Sequence, residues 1–250
     1  MAALTRDAFL GGKLQVWQPE NGYRAGIDPV FLAAAVPAKP GQTVLELGCG
    51  VGTALLCLHA RVSDLALTGL ELQPDYSDLA RRNAAENGAD ARIVTGDLTD
   101  MPHTLRDRQF DHVIANPPFF RPGGTAAVNR GRQIALAGAA PLAAWIDAGI
   151  RRLSPKGTLT VIQRADRLAD VLAACDSRIG SLRVLPLAPR AGRAAERVIL
   201  RGRKGGKGAF RLLAPLVMHK GDRHLGDGED YLPQTQAILR EGAPLSVDWR

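Results

Sequence analysis

Residues 43–62 read TVLELGCGVGTALLCLHARV. Five residues of strand-forming, mostly apolar character are followed by Gly48, Gly50 and Gly52, and then by a helical apolar run. A glycine-rich turn between a strand and a helix lets the backbone bend tightly and approach a ligand closely. In an open α/β sheet such a turn lies at the carboxyl ends of the strands, where ligands bind. The spacing is G-x-G-x-G rather than the G-x-G-x-x-G of dinucleotide folds, and Glu46 stands two residues before the first glycine. A carboxylate there is a poor neighbour for a pyrophosphate and a good one for a cationic amine or sulfonium.

Working outward, the pattern alternates strand and helix. LALTGLEL is a second strand and DYSDLARRNAAENG a helix, which Gly88 ends as a left-handed cap. ARIVTGD and FDHVIA are the third and fourth strands. APLAAWIDAGIRRLSPKG is a helix and turn leading into the strand GTLTVIQR, and ADRLADVLAACDSRIG is a further helix. LRVLPLAP and RVILRGRKG have no helix between them, so they pair as a hairpin that brings in one antiparallel strand. The expected fold is therefore α/β: a Rossmann-like doubly wound sheet of seven strands, mostly parallel. Residues 1–40 form a short N-terminal cap segment with one helical patch, DPVFLAAAV, for which Asp28 is the expected N-cap. Residues 41–250 form the main domain, with a basic hairpin loop at about 188–211.

Composition limits the function classes. No apolar run approaches the roughly 20 residues of a membrane span. Arg6 and Asp7 interrupt the N-terminal apolar stretch, so no signal-peptide core forms. Cys49, Cys57 and Cys175 are too scattered for a disulfide framework or a zinc site, no metal is expected, and a cytoplasmic setting is the default. The formal net charge is +7, and its distribution is uneven. Arg190, Arg193, Arg197, Arg201, Arg203, Lys204, Lys207 and Arg211 are opposed only by Glu196, a pattern suited to a polyanionic partner.

Two acidic residues complete a cofactor frame. Glu71 ends the second strand, where a carboxylate can accept from both hydroxyls of a ribose. Asp97 ends the third. The fourth strand adjoins the first at the switch point and leaves the sheet through Asn116, Pro117, Pro118 and Phe119. Two prolines fix φ and donate no hydrogen bonds, so the corner is stiff. An exocyclic amine on a base is a weak nucleophile, because its lone pair is delocalised into the ring. Two acceptors aimed at its hydrogens favour the tetrahedral geometry that attack requires. The Asn116 side-chain oxygen and the Pro117 carbonyl can be those acceptors, and Phe119 offers a stacking face for a flipped base. No general base is needed first, and none of the histidines has ligand spacing; His112 reads as a packed strand residue.

The glycine loop, Glu71, Asp97 and the Asn-Pro-Pro-Phe corner, in that order, resemble the class I S-adenosylmethionine-dependent methyltransferases. That resemblance implies S-adenosyl-L-methionine as methyl donor, with Glu46, Gly48, Gly50, Gly52, Glu71, Asp97 and Asn116 around it, Asp97 accepting from its adenine amine. LQVWQPENGYRAGIDPVFLAAAV and YLPQTQAILR resemble the corresponding regions of the bacterial methyltransferases acting on the 6-amino group of the anticodon-loop adenosine of a valine tRNA. On that likeness Gln18, Gly22, Tyr23, Arg24 and Asp28 cap the donor site, and tRNA is the partner. The segment after the corner, RGRQIALAGAAPL, lacks the acidic residue relatives often carry, and places Arg121, Arg130 and Arg132 nearby as expected RNA contacts together with Arg193, Arg201, Arg203, Lys204 and Lys207. A guanine 2-amino methyltransferase of rRNA is the alternative; a protein-glutamine methyltransferase would usually carry a separate docking domain. A nicotinamide oxidoreductase disagrees with the glycine spacing.

Overall fold

The computed structural model describes residues 3–118, 140–223 and 230–249. Strand β3 (Thr43–Leu47) lies at its centre, paired in parallel with β4 (Ala66–Glu71) on one side and β6 (Phe110–Ala115) on the other. The sheet continues through β5 (Ala91–Thr95) beyond β4, and through β7 (Leu153–Arg164), β9 (Arg197–Lys204) and β8 (Ile179–Ala188) beyond β6. β9 runs antiparallel to both its neighbours and is the one reversed strand of this seven-strand frame. Two-residue strands β10 (Arg211–Leu212) and β11 (Leu216–Val217) extend the outer edge of β8. The expected doubly wound sheet with a C-terminal antiparallel hairpin is thus present, widened by two short edge pieces.

Helices cover both faces. α1 (Asp28–Ala35), α2 (Thr53–Arg61) and α3 (Pro74–Glu86) pack on one face, and α5 (Leu142–Arg152) and α6 (Leu168–Ala173) on the other; α4 (His103–Arg106) is a single turn before β6. The central strands β3 and β6 are buried at all but one position each because both of their faces are covered. In β3, Val44 joins the core under α1 and α2, while Leu45 and Leu47 join the core under α5. Glu46 shares the face of Val44 and is buried among apolar side chains.

Residues 4–19 form an antiparallel hairpin, β1 (Leu4–Phe9) with β2 (Leu14–Pro19), that the sequence reading missed. Its alternating pattern is weak because Gln18 is one of the buried positions of β2, held by Asp7 and the Ala25 N–H. The open edge of β2 is closed by two asparagines one turn apart on and just after α3. Asn83 bonds the N–H and C=O of Trp17, and Asn87 does the same for Gln15. Asn83, fully buried, also donates to the Val51 carbonyl, so one side chain ties the hairpin to the glycine loop. Side-chain amides thereby replace a neighbouring strand along an otherwise unpaired edge.

Three expectations are corrected. Asp28 does not cap α1: Ile27 holds the cap position, and the Asp28 carboxylate instead receives the guanidinium of Arg197 at 3.1 Å. The basic hairpin loop is shorter than 188–211, because residues 197–204 are strand β9 and the connection is 189–196. α6 spans only Leu168–Ala173, after a 3-10 turn at Ala165–Arg167.

Candidate active site

The glycine loop leaves β3 with Gly48, Gly50 and Gly52 at φ values of 64°, 54° and 86°. At Gly48 the reason is packing: a Cβ there would come within 2.4 Å of the Trp145 ring of α5. Gly52 precedes the first turn of α2, where its left-handed backbone turns the chain into the helix. The loop is fixed from below by Glu71. One carboxylate oxygen accepts from the Gly50 N–H and the other from the Gln73 N–H, both at 2.9 Å. Burial raises the Glu71 pKa against the pull of those donors. With a further backbone contact from Leu72, the carboxylate keeps acceptor capacity for a hydroxyl.

A crevice opens beside this loop, lined by Tyr23, Glu46, Cys49, Thr53, Ala54 and Asn116 among others. Its polar atoms are left wanting. Glu46 Oε2, Thr53 Oγ1 and Asn116 Oδ1 are buried with no hydrogen-bond partner. Native proteins rarely leave buried polar atoms unpaired, so three converging on one crevice indicate a ligand that supplies donors. Burial pushes the Glu46 carboxyl well above its ordinary range, and the nearby Glu71 adds to that effect. A cationic ligand would relieve both. Glu46 and Thr53 therefore fit the amino-acid end of S-adenosylmethionine, and Asn116 Oδ1 is left for a second group that brings a donor.

Asn116 follows β6 directly, so the sheet delivers it to the crevice beside Glu46 of the neighbouring strand. Its Nδ2 donates to the Tyr23 hydroxyl at 3.3 Å, which turns Oδ1 the other way. Tyr23 is braced in turn by Tyr76, whose hydroxyl accepts from the Tyr23 N–H at 3.0 Å and donates to its carbonyl. Burial, with Glu46 and then Asp28 nearby, raises the Tyr23 pKa and keeps the phenol protonated. The next residue's carbonyl, that of Pro117, accepts from Gln163 Nε2 at 3.3 Å. Pro118 is exposed, and Phe119 lies outside the described residues.

The remaining expected donor-site residues divide. Asp97 uses Oδ1 to accept from both the N–H and the hydroxyl of Thr99, an Asx turn that fixes its carboxylate at the end of β5. Arg24 points to the hairpin, not the crevice: its guanidinium bonds Asp7 at 2.6 Å, Thr5 at 2.6 Å and the Pro19 carbonyl at 3.0 Å. Sequence reasoning left Thr53, Trp145 and Gln163 without roles, while Tyr23, expected in the cap over the donor site, does line the crevice.

The methyltransferase small domain family matches residues 25–175, which contain the loop, the crevice and the corner. The chain belongs to that family. Among curated proteins, a Dickeya chrysanthemi protein named tRNA1(Val) (adenine(37)-N6)-methyltransferase is 30% identical over 96% of this chain and 95% of its own length. A Porphyromonas gingivalis protein of the same name is 31% identical over 72% of this chain and 76% of its own. Among solved structures, an Agrobacterium tumefaciens protein described as a predicted O-methyltransferase superposes with a TM-score of 0.71 at 25% identity, over 88% of this chain and 99% of that one. A T. thermophilus 16S rRNA guanine N2 methyltransferase in complex with AdoMet and guanosine shares the fold, with a TM-score of 0.56 at 18% identity, over 81% of this chain and 50% of that one.

In the methyltransferase the basic residues occupy two separate places. Arg193 is exposed in the 189–196 connection, at the carboxyl ends of the parallel strands and so on the side of the crevice. Arg203 pairs with Thr158 of β7, whose other partner His112 is near the start of β6, so it and Lys207 lie exposed toward the amino ends of the parallel strands, away from the crevice. Two others are engaged within the protein. Arg201 stacks on Trp249 at 4.3 Å, and Lys204 donates to the Leu153 carbonyl at 2.6 Å. Arg190 is buried against Asp230 and the Lys220 carbonyl. Arg121, Arg130 and Arg132 lie outside the described residues. No helix among the described residues is long and apolar enough to cross a membrane.

Proposed function

We propose that this methyltransferase uses S-adenosylmethionine to methylate the exocyclic 6-amino group of an adenosine in tRNA, in the anticodon loop of a valine tRNA. The observation that carries the reading is Asn116 Oδ1: buried, without a partner, fixed by Tyr23, and followed directly by the Pro117 carbonyl. The names of the relatives matched over most of the chain support tRNA as partner and adenine as target, and a cytoplasmic setting goes with that substrate.

The donor supplies an electrophilic methyl group on a sulfonium. Glu46 and Thr53 would face its amino-acid end, Glu71 its ribose hydroxyls, and Asp97 its adenine amine through the oxygen not used by Thr99. Asn116 Oδ1 and the Pro117 carbonyl accept the two hydrogens of the target amine. As the nitrogen forms its bond to the methyl carbon, the carbon–sulfur bond would break to leave a neutral thioether; the nitrogen becomes tetrahedral and cationic, and both acceptors strengthen their hold on it. The excess proton passes to water afterwards, so the corner needs no base. Holding amine and methyl in line supplies much of the acceleration. Residues 1–40 cap the site through Tyr23 and Arg193 holds phosphate on that side; Phe119, Arg121, Arg130 and Arg132 would supply the stacking face and the further phosphate contacts that their sequence positions suggest. Arg203 and Lys207 offer a second contact to a substrate as large as a whole tRNA.

The test is incubation of the protein with a valine tRNA transcript and labelled S-adenosylmethionine, followed by digestion to nucleosides. Label in 6-methyladenosine supports the reading. Label in 2-methylguanosine, or none in RNA of a protein that binds the donor, overturns it.

A further inference from the structure

Gln163 is the last residue but one of β7, 1% exposed, between the buried apolar pair Val161 and Ile162 and the exposed Arg164. A buried amide needs partners for both its ends. Its Oε1 accepts from the Arg164 N–H at 2.8 Å, and this fixes which way the amide faces. Nε2 is thereby turned across to the next strand's exit, where it donates to the Pro117 carbonyl at 3.3 Å. Pro117 and Pro118 have no N–H of their own to tie this corner to the sheet. Among the described residues the donor to the Pro117 carbonyl is the Gln163 side chain from β7.

We infer that Gln163 is a positioning residue for methyl transfer: by occupying one lone pair of the Pro117 carbonyl it aims the other at the target amine, as Tyr23 aims Asn116 Oδ1. The inference rests on the proposed function, since only an amine substrate makes the direction of this carbonyl matter. Gln163 touches neither donor nor base; it acts through Pro117. A carbonyl rotated by some tens of degrees still binds the amine loosely but no longer follows it into tetrahedral geometry, so the loss falls on kcat and not on KM.

The test uses two variants of the full chain on tRNA. Gln163→Leu removes the donor. It is expected to lower kcat by about tenfold with donor affinity and tRNA KM within about twofold of wild type. Gln163→Glu keeps the shape but donates to Pro117 only when protonated. Burial favours the protonated acid, and the charged groups around this strand end are already paired: Arg164 with Asp166, and Arg197 with Asp28. Its kcat relative to wild type is therefore expected to rise as pH falls, from roughly a tenth at pH 8.5 to within about threefold at pH 6. A purely structural role would give no such acquired pH dependence. If Gln163→Leu fails to fold, the pH series on Gln163→Glu decides alone. A flat ratio, or a loss confined to KM, overturns the inference while leaving the proposed function intact. A wild-type protein that binds donor yet methylates no base amine overturns both.

Discussion

The Tyr23 hydroxyl lies 3.3 Å from Asn116 Nδ2, joining a residue near the N-terminus to the exit of a central strand. In that bond the phenol oxygen accepts the amide N–H, and Oδ1 faces the other way, buried and without a partner. Replacing Asn116 by Ala should cut turnover by roughly 10²–10³, the scale of one lost transition-state acceptor, and leave donor affinity nearly unchanged. Tyr23→Phe should cost much less, about tenfold in kcat, because the amide remains but can turn over. Single-turnover rates on tRNA measure both. An Asn116→Ala enzyme with wild-type turnover would remove the amide from the mechanism.

Gly48 and Trp145 form a second pair across elements. The indole occupies the space that any side chain at 48 would take, and the backbone there is left-handed. Gly48→Ala should therefore destabilise the protein by about 2–4 kcal/mol through overpacking and strain. The double variant Gly48→Ala with Trp145→Leu should recover part of that loss, since the two residues share one volume. Urea unfolding of the three variants checks it; strictly additive losses would mean that the contact is not the cause.

The central strands and the glycine loop were legible because their signals are local. TVLEL is apolar whichever strand it pairs with, and three closely spaced glycines mark a turn whatever fills it. Gly48 shows where that reading stops: the glycine was expected to make room for a ligand, yet its immediate neighbour is an indole 97 residues further along the chain. Arg24 stops in the same way. Its place beside Tyr23 suggested the donor site, but Asp7, Thr5 and Pro19, brought close only by the hairpin, take every bond it makes here. Gln163 left no trace, since one more polar residue next to Arg164 at a strand's end has no period or spacing to betray it.

Glu46 gives the methyltransferase a predictable pH response. Burial holds its folded-state pKa above the ordinary 4.5, so the folded protein keeps a proton that the unfolded chain releases. The stability this group contributes is complete below pH 4.5 and is lost as pH rises through the folded value. Glu46→Gln should therefore raise the melting temperature more at pH 8 than at pH 5. A cation bound beside the carboxylate reverses the balance and expels the proton. Donor binding at a pH below the raised folded value should release that proton, read by calorimetry in two buffers of different ionisation enthalpy across a pH series, and Glu46→Gln should weaken binding and abolish the release. Equal release from wild type and variant would assign the proton to another group.

Arg201 and Arg203 are two residues apart on β9, yet their expected consequences differ. Arg201 lies against Trp249, and burial, followed by the charge of Arg183, lowers its pKa to about 10. Arg201→Ala should cost about 1–2 kcal/mol of stability, through the lost stack and stem packing, and leave the salt dependence of RNA binding unchanged. Arg193→Ala, on the crevice side, should flatten that dependence by about 0.7–0.9 in log–log slope for one lost phosphate contact, with whole tRNA and with an isolated anticodon stem-loop alike. Arg203→Ala with Lys207→Ala should flatten it only with whole tRNA, because a short stem-loop seated at the corner does not extend to the far end of the sheet. Filter binding across a salt series distinguishes these outcomes. An unchanged slope for the Arg203 and Lys207 pair on both RNAs would confine the RNA to the crevice side and leave the far-end charges simply solvated.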